Sequence, residues 1–254
     1  MKNAAIILIG NELLTGKIRD ENGYYLMRRL RGLGVELGRL VVVPDVEGEI
    51  VAELRHCSTT YDFVFTSGGV GPTHDDITLE SIAAAFGVGI ERNPTIETVL
   101  RDHFQDRITP AHLRMADLPV GMTLLEDEAI RWPVLVYKNV YVLPGIPQLF
   151  RAKFEAIADR FRHGQFFLRS LYLQQDEAEI ATLLADVERE HGVSIGSYPR
   201  WGGADYRLRI TIESRDTATV DNAAAALLAG LDPNSVVRFD AKALPADSPD
   251  MIAP

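Results

Sequence analysis

Apolar residues in the first part of the chain alternate between continuous runs and helical spacing. Residues 4–9 and 63–65 are continuous apolar runs, which are typical of strands buried on both faces. A further strand is predicted at 37–43, a mostly apolar segment that Pro44 ends. Residues 20–33 and 47–58 carry apolar positions three or four apart, which predicts a helix after each of the first two strands. This alternation predicts an α/β domain with a mostly parallel sheet in three layers.

The same pattern continues less regularly to about residue 161. Helices are predicted at 78–86, 94–104 and 110–115, with a loop after the last of them. Two short strands around a tight turn, at 134–136 and 140–143, then lead into a helix over 148–161. These strands would extend the same sheet.

The remaining pattern has a different order of elements. Strands and helices are predicted in the order βαββαβ, at 167–173, 177–190, 194–198, 206–213, 218–228 and 235–239. This order is typical of a small α+β ferredoxin-like domain. We therefore predict one domain at 1–164, a second at 165–240, and a disordered tail at 241–254, which has three prolines and no periodicity.

Composition narrows the classes of partner. The formal net charge is -10, which argues against a nucleic-acid-binding surface. The apolar run at the start is too short for a signal peptide or a membrane span, so a cytoplasmic protein without a membrane partner is expected. Cys57 is the single cysteine, which excludes an intramolecular disulfide and predicts a packed thiol in a helix.

The candidate chemistry lies directly after the third strand. Three glycines occur in four positions, and Asp75 and Asp76 follow just before a helix. Successive backbone N–H groups beside a helix N-terminus suit a phosphate group. Because two carboxylates would repel a bare phosphate, the segment predicts a phosphate site bridged by a cation. The simpler alternative is a tight strand-to-helix turn in which Asp76 caps the helix.

Two further loops are predicted at the same edge of the sheet. One contains Asn11 and Glu12 after the first strand, and the other contains Pro144 and Gly145 after the strand at 140–143. Ligands of open α/β sheets bind beyond the carboxyl ends of the strands, so these loops are expected near the acidic turn. Glu12 remains equally well explained as a loop carboxylate. The Pro-Gly-Ile-Pro segment at 144–147 could form a rigid turn, but its place at a strand end favours a ligand contact.

Several common motifs are absent from the sequence. It has no Walker-type phosphate loop, no Gly-x-Gly-x-x-Gly dinucleotide spacing, no His-Glu-x-x-His zinc helix and no Gly-x-Ser-x-Gly nucleophile turn. These absences remove common nucleoside triphosphatases, ordinary nicotinamide dehydrogenases and serine hydrolases from the leading candidates.

Three separated motifs carry a resemblance to a known family. The run 67–80, Ser-Gly-Gly-Val-Gly-Pro-Thr-His-Asp-Asp-Ile-Thr-Leu-Glu, resembles the signature of molybdopterin-binding-like domains of the competence/damage-inducible protein A (CinA-like) branch. Gly-Asn-Glu-Leu-Leu-x-Gly at 10–16, with Asp-Glu-Asn at 20–22, and Val-Leu-Pro-Gly-Ile-Pro at 142–147 are similar to its other motifs. The resemblance covers residues 4–162.

This resemblance implies a divalent-metal-dependent pyrophosphatase acting on ADP-ribose or FAD, or a domain that binds a pterin. It implies that Asp76 and Glu80 are catalytic and that Asp76 holds the metal. Hydrolysis of a diphosphate also needs a bridging cation and a positioned water, which adds Asp75 as a catalytic candidate at the metal or the water. Glu80 is equally well explained by the helix dipole. The residues expected at the phosphates or nucleotide are Ser67, Gly68, Gly69, Gly71, Thr73, Asn11, Glu12, Pro144 and Gly145.

One segment departs from the family pattern. Residues 126–133 replace a glycine-rich segment of many relatives, so a pterin- or nucleotide-binding module without turnover remains an alternative. A regulatory scaffold is a third. The deamidase and FAD synthase activities of longer relatives are not expected, because the corresponding domains have no counterpart in this sequence. A homo-oligomer, with a dimer as first choice, is expected through the edge of the strand at 206–213.

Overall fold

The computed structural model describes residues 2–202 and 205–240, together with the backbone of 244–245. The chain divides into two compact units between His163 and Gly164. Each unit has its own sheet and its own apolar core. The predicted boundary after residue 164 falls beside this division.

The first unit begins with alternating strands and helices. Its elements are β1 Asn3–Ile9, α1 Asn11–Leu14, α2 Asn22–Gly32, β2 Glu36–Val43, α3 Glu47–Thr60, β3 Phe63–Ser67 and α4 Thr78–Phe86. The short helix α1 lies inside the segment predicted as a loop. Gly87 closes α4 with a φ of 68°, a left-handed conformation that favours glycine.

In the rest of the first unit, two strands and two α-helices, β4 to β5, come before the chain returns to the main sheet at β6. The elements are β4 Ile90–Arg92, α5 Pro94–Phe104, α6 Pro110–Arg114, β5 Asp117–Pro119, β6 Thr123–Asp127, β7 Ile130–Tyr137, β8 Val140–Leu143 and α7 Pro147–Ile157. Asn93 caps α5 by accepting the N–H groups of Thr95 and Ile96. The strand β5, which pairs with β4, replaces the loop predicted there.

The sheet of the first unit confirms the predicted α/β class. Its strand order is β2-β1-β3-β8-β7-β6, and the pairs β1–β2, β1–β3 and β3–β8 are parallel. Ile6 and Ile7 are both fully buried but belong to different apolar clusters, one on each face of the sheet. This is the physical meaning of the continuous apolar run in β1, since both faces are covered by helices.

The divergent segment 126–133 belongs to a β-hairpin at the edge of this sheet. Strands β6 and β7 are antiparallel, and Leu135 of β7 pairs with Val142 of β8. Because β7 runs antiparallel to β8, its residues before Val134 extend past Leu143 toward the ligand edge of the sheet. The strand β6 is not among the predicted strands, because its acidic end interrupts the apolar pattern.

The second unit has the predicted ferredoxin-like order. Its elements are β9 Phe167–Leu173, α8 Glu177–His191, β10 Ser194–Pro199, β11 Leu208–Ser214, α9 Thr217–Gly230 and β12 Val236–Phe239. Neighbouring strands are antiparallel in the order β10-β11-β9-β12. The prediction that the strand at 206–213 offers an edge was wrong, because β11 is paired on both sides. A homo-oligomer stays a prediction.

Three further predictions concern single features of the chain. The predicted disordered tail, 241–254, lies outside the described residues except for Leu244–Pro245, which pair with β9. Cys57 is fully buried in α3, as predicted, and burial raises the pKa of its thiol to about 11. Among the described residues, no helix has the length and apolar character needed to cross a membrane.

Candidate functional site

The glycine turn after β3 is locked to its neighbours through the backbone. The N–H of Gly68 donates to Leu143 O at 3.2 Å, and the Thr78 hydroxyl donates to Gly68 O at 2.9 Å. Gly68 has a φ of 104°, and a Cβ atom there would lie 2.2 Å from the carbonyl oxygen of Ile9. Glycine is therefore required at this position for conformation and for space.

Beyond Gly68 the turn presents unused donors. In the part of the chain that the structure describes, the N–H groups of Gly69, Val70 and Gly71 donate to no protein acceptor. The carbonyl of Gly69 is bound by the N–H of Thr78, which starts α4. Consecutive free N–H groups beside the start of a helix form an arrangement that binds anions.

The two carboxylates of the turn occupy different environments. Asp76 Oδ2 accepts a hydrogen bond from the Thr73 N–H at 2.8 Å and another from the Thr73 hydroxyl. The Asp75 side chain is 54% exposed, with His74 Nδ1 4.0 Å from its Oδ1. The nearby Thr73 hydroxyl and the backbone N–H of Asp75 itself, with the charges of His74 and Arg114, hold the pKa of Asp75 below its ordinary value.

Arg114 binds this turn from a distant part of the sequence. Its Nη2 donates to the carbonyl oxygen of Thr73 and, at 3.1 Å, to that of Asp76. Arg114 is the last residue of α6, so this helix places a positively charged guanidinium group at the acidic turn. Sequence reasoning missed this residue, because no local pattern relates it to the turn.

Asn22 is a second residue that sequence reasoning did not identify as part of the site. Its side-chain Nδ2 donates to Ser67 Oγ at 2.9 Å and to the carbonyl oxygen of Gly145 at 2.8 Å. It therefore joins the end of β3 to the turn after β8. The available signal was its place in the Asp-Glu-Asn motif at 20–22.

The remaining predicted residues of the ligand edge are placed as follows. Pro144 and Gly145 lie beside the glycine turn, where a Cβ on Gly145 would be 3.5 Å from Gly68 Cα. Glu12 folds its carboxylate over Gly10, and the Asn11 N–H donates to Asp45 Oδ2 at 2.8 Å. These contacts hold the first loop against the end of β2.

Glu80 and Thr73 occupy opposite ends of the acidic segment. Glu80 lies in the first turn of α4, where the helix dipole favours a carboxylate. In the described part of the chain, its carboxylate makes no hydrogen bond or ion pair. Thr73 is exposed, and its hydroxyl donates a hydrogen bond to Asp76 within the turn.

The donor set of the turn can be compared with the needs of a divalent cation. No group of three or more His, Cys, Asp or Glu side chains converges on a metal position within the described ranges. Asp75 and Asp76 still supply carboxylate oxygens beside free backbone donors. A Mg²⁺-type ion fits such a site, because it is commonly held by one or two carboxylates together with substrate phosphates and water.

The divergent hairpin lines a separate cavity of about 400 Å³. Its walls include Glu126, Asp127 and Arg131 from the hairpin and Thr95 and Val99 from α5. None of the predicted site residues lines it. The hairpin residues that line this cavity are therefore distinct from the predicted site residues.

Comparisons with known proteins agree with this architecture. Residues 5–163 match the family model described as "Probable molybdopterin binding domain", so the chain belongs to the molybdopterin-binding domain family. Residues 165–240 match "FAD synthase, middle domain", a likeness that the sequence analysis did not predict. The CinA protein of Thermoplasma acidophilum, a solved structure of unknown function, is 31% identical, with a TM-score of 0.58 over 63% of this chain and 98% of that chain.

Two curated relatives span both units. A "Probable FAD synthase" of Caenorhabditis briggsae is 33% identical over 89% of this chain and 49% of the relative. A CinA-like protein of Myxococcus xanthus is 31% identical over 87% of this chain and 56% of the relative. The chain thus spans about half the length of these relatives.

Proposed function

We propose that this protein is a divalent-metal-dependent nucleotide pyrophosphatase that cleaves ADP-ribose-like or FAD-like dinucleotides into two monophosphates. The observation that carries the proposal is the run of free N–H groups at Gly69, Val70 and Gly71 directly before Asp75 and Asp76. Donors for phosphate oxygens and ligands for a cation therefore lie in a single turn. The likeness of the second unit to a FAD synthase domain supports a FAD-related ligand.

In the proposed hydrolysis, the backbone N–H groups and the carboxylates of the turn have different roles. The three N–H groups hold the oxygens of one phosphate, where they stabilise charge that develops during reaction. Asp76 and Asp75 would hold the cation, which, when bound, neutralises the diphosphate and makes phosphorus more susceptible to attack. Asp75, whose pKa is lowered, stays ionised at neutral pH and orients the attacking water.

A second candidate function is ligand binding without turnover. It is favoured by the hairpin β6–β7, which replaces the glycine-rich segment of many relatives and projects at the ligand edge. Under this alternative the free N–H groups hold a pterin or nucleotide phosphate, and Asp75 and Asp76 perform no chemistry.

Hydrolysis by purified protein separates these functions. ADP-ribose and FAD are incubated with wild type and with Asp76→Asn, with Mg²⁺ or Mn²⁺ present, and the monophosphate products are separated by chromatography. We expect the variant to lose at least about 100-fold in rate, since it removes charge from the cation site.

The matched control is Asp216→Asn in the second unit. Asp216 Oδ2 accepts from the N–H and hydroxyl of Thr219 at 2.8 and 2.7 Å. Thr73 provides the same two donors to Asp76, although it precedes its aspartate in the sequence and Thr219 follows. The control should keep full activity. Binding of either compound without products in wild type would instead establish the second candidate function.

A further inference from the structure

Asn22 has an unusual pattern of hydrogen bonds for a buried amide. The residue is 6% exposed, and its Nδ2 donates both of its side-chain hydrogen bonds, to Ser67 Oγ and to the carbonyl oxygen of Gly145. Its Oδ1 has no partner among the described residues. Since a carbonyl only accepts, the contact with Gly145 fixes which end of the amide is the donor.

This orientation determines the role of the Ser67 hydroxyl. Because Asn22 donates to Ser67 Oγ, the single proton of the hydroxyl must point elsewhere. In the described part of the chain, the Ser67 hydroxyl has one acceptor, the carbonyl oxygen of Pro144 at 3.5 Å, which is long for an O–H···O hydrogen bond. The proton is therefore weakly held and free to turn toward a better acceptor.

We propose that Asn22 is a positioning residue that reserves the Ser67 proton for an oxygen of a phosphate bound at the glycine turn. The inference rests on the phosphate-binding part of the proposed function. Ser67 immediately precedes Gly68, and the free N–H groups begin at Gly69. Asn22 acts through Ser67 and holds the β8 turn at the same time.

The substitution Asn22→Asp tests this role with little change in shape. A carboxylate cannot donate, so Ser67 would turn its proton to residue 22 and no longer offer it to phosphate. We expect calorimetric titration with ADP-ribose to give about tenfold weaker binding, the order of one lost hydrogen bond to a charged group. Ser67→Ala should weaken binding by a similar factor.

The double variant distinguishes positioning from general support of the fold. If Asn22 acts through Ser67, the Asn22→Asp, Ser67→Ala protein should bind ADP-ribose no more weakly than Ser67→Ala alone. Losses that multiply would overturn the proposal. Should Asn22→Asp fail to fold by circular dichroism, Asn22→Leu replaces it in the same cycle. Leucine neither donates nor accepts, so its own effect on binding should be smaller, and it should again add nothing to the loss in Ser67→Ala.

Asn139→Asp is the matched control. The Asn139 amide also donates two hydrogen bonds to carbonyl oxygens, those of Ser58 at 3.0 Å and Tyr61 at 2.9 Å, at the turn between β7 and β8. It should lose stability without losing affinity. An equal loss of affinity in this control would contradict a specific role for Asn22.

The titrations also separate this inference from the proposed hydrolysis. Binding of ADP-ribose without turnover, with the expected variant pattern, would remove the hydrolase and leave the role of Asn22 supported. Wild-type protein that binds neither ADP-ribose nor inorganic pyrophosphate would overturn both, because Ser67 would then have no phosphate to serve.

Discussion

The turn after β3 and the turn after β8 follow neighbouring parallel strands of one sheet, yet they are constructed differently. The first is held by backbone and side-chain hydrogen bonds and carries Asp75 and Asp76. The second exposes Ile146 and Leu149, which are 57% and 50% accessible. The turn after β3 is therefore closely packed and offers donors to an anion, whereas the turn after β8 is open and apolar. Asn22 connects the two turns through its hydrogen bonds.

The difference teaches where substitutions are tolerated at this edge. At the first turn, the backbone lies against the end of β1, and several donors and acceptors are committed to exact positions. At the second, a Cβ added to Gly145 would lie 3.5 Å from Gly68 Cα, which is an ordinary van der Waals distance. Phosphate chemistry is thus expected on the rigid turn, and variation in the rest of the ligand on the open one.

The two turns should differ most in the loss of folding stability that follows when one glycine in each is replaced by alanine. Gly68→Ala places a Cβ 2.2 Å from Ile9 O at a φ of 104° and should lower the free energy of unfolding by about 3 kcal/mol or more. Gly145→Ala should cost less than about 1 kcal/mol. Urea denaturation measures both, and equal losses would contradict the contrast.

A second test uses the helix that begins at the β8 turn. Lys153 of α7 donates to Pro133 O at 2.7 Å, and burial lowers the pKa of its ammonium to about 8. Between about pH 8 and the ordinary value of 10.5, the unfolded chain binds more protons at this group, so stability should rise with pH.

Lys153→Met removes this contribution. The free energy of unfolding of wild type relative to the variant should increase by up to about 3 kcal/mol from pH 7 to 10.5. Thermal or urea unfolding across this range measures it. Lys138→Met, which replaces a surface ammonium lying over the Phe86 ring, is the control and should follow wild type. A flat difference for Lys153→Met would show that its ammonium is not destabilised by burial.

A smaller effect on stability is expected from replacing Arg114, whose guanidinium group binds the turn after β3. Arg114→Met removes the donor to the Thr73 and Asp76 carbonyls and should cost about 1 to 2 kcal/mol. Metal-dependent ADP-ribose binding should weaken several-fold, because the acidic turn loses its tether. Arg151→Met, which breaks a surface ion pair with Glu21 near the second turn, should change neither quantity by more than about 1 kcal/mol.

Local patterns predicted most of the elements because they depend on neighbouring residues. The continuous run of β1, the helix beginning at Thr78 and the βαββαβ order all appear in the structure. The failures have a common origin. The strand β6 ends in charged residues, and the interior position of β11 depends on pairing with β9 and β10, which a single segment does not reveal.

The residues of the candidate site likewise fall into those that local sequence identifies and those that only distant contacts bring in. The sequence by itself determined the glycine turn and its acidic pair, since residue type and close spacing define both. Only the tertiary structure brought in Asn22, which contacts residues 45 and 123 positions away, and Arg114, whose contacts lie 41 and 38 positions away. The physical reason is that hydrogen bonds form between atoms close in space, and parallel strands with crossover helices bring distant residues to one edge of the sheet.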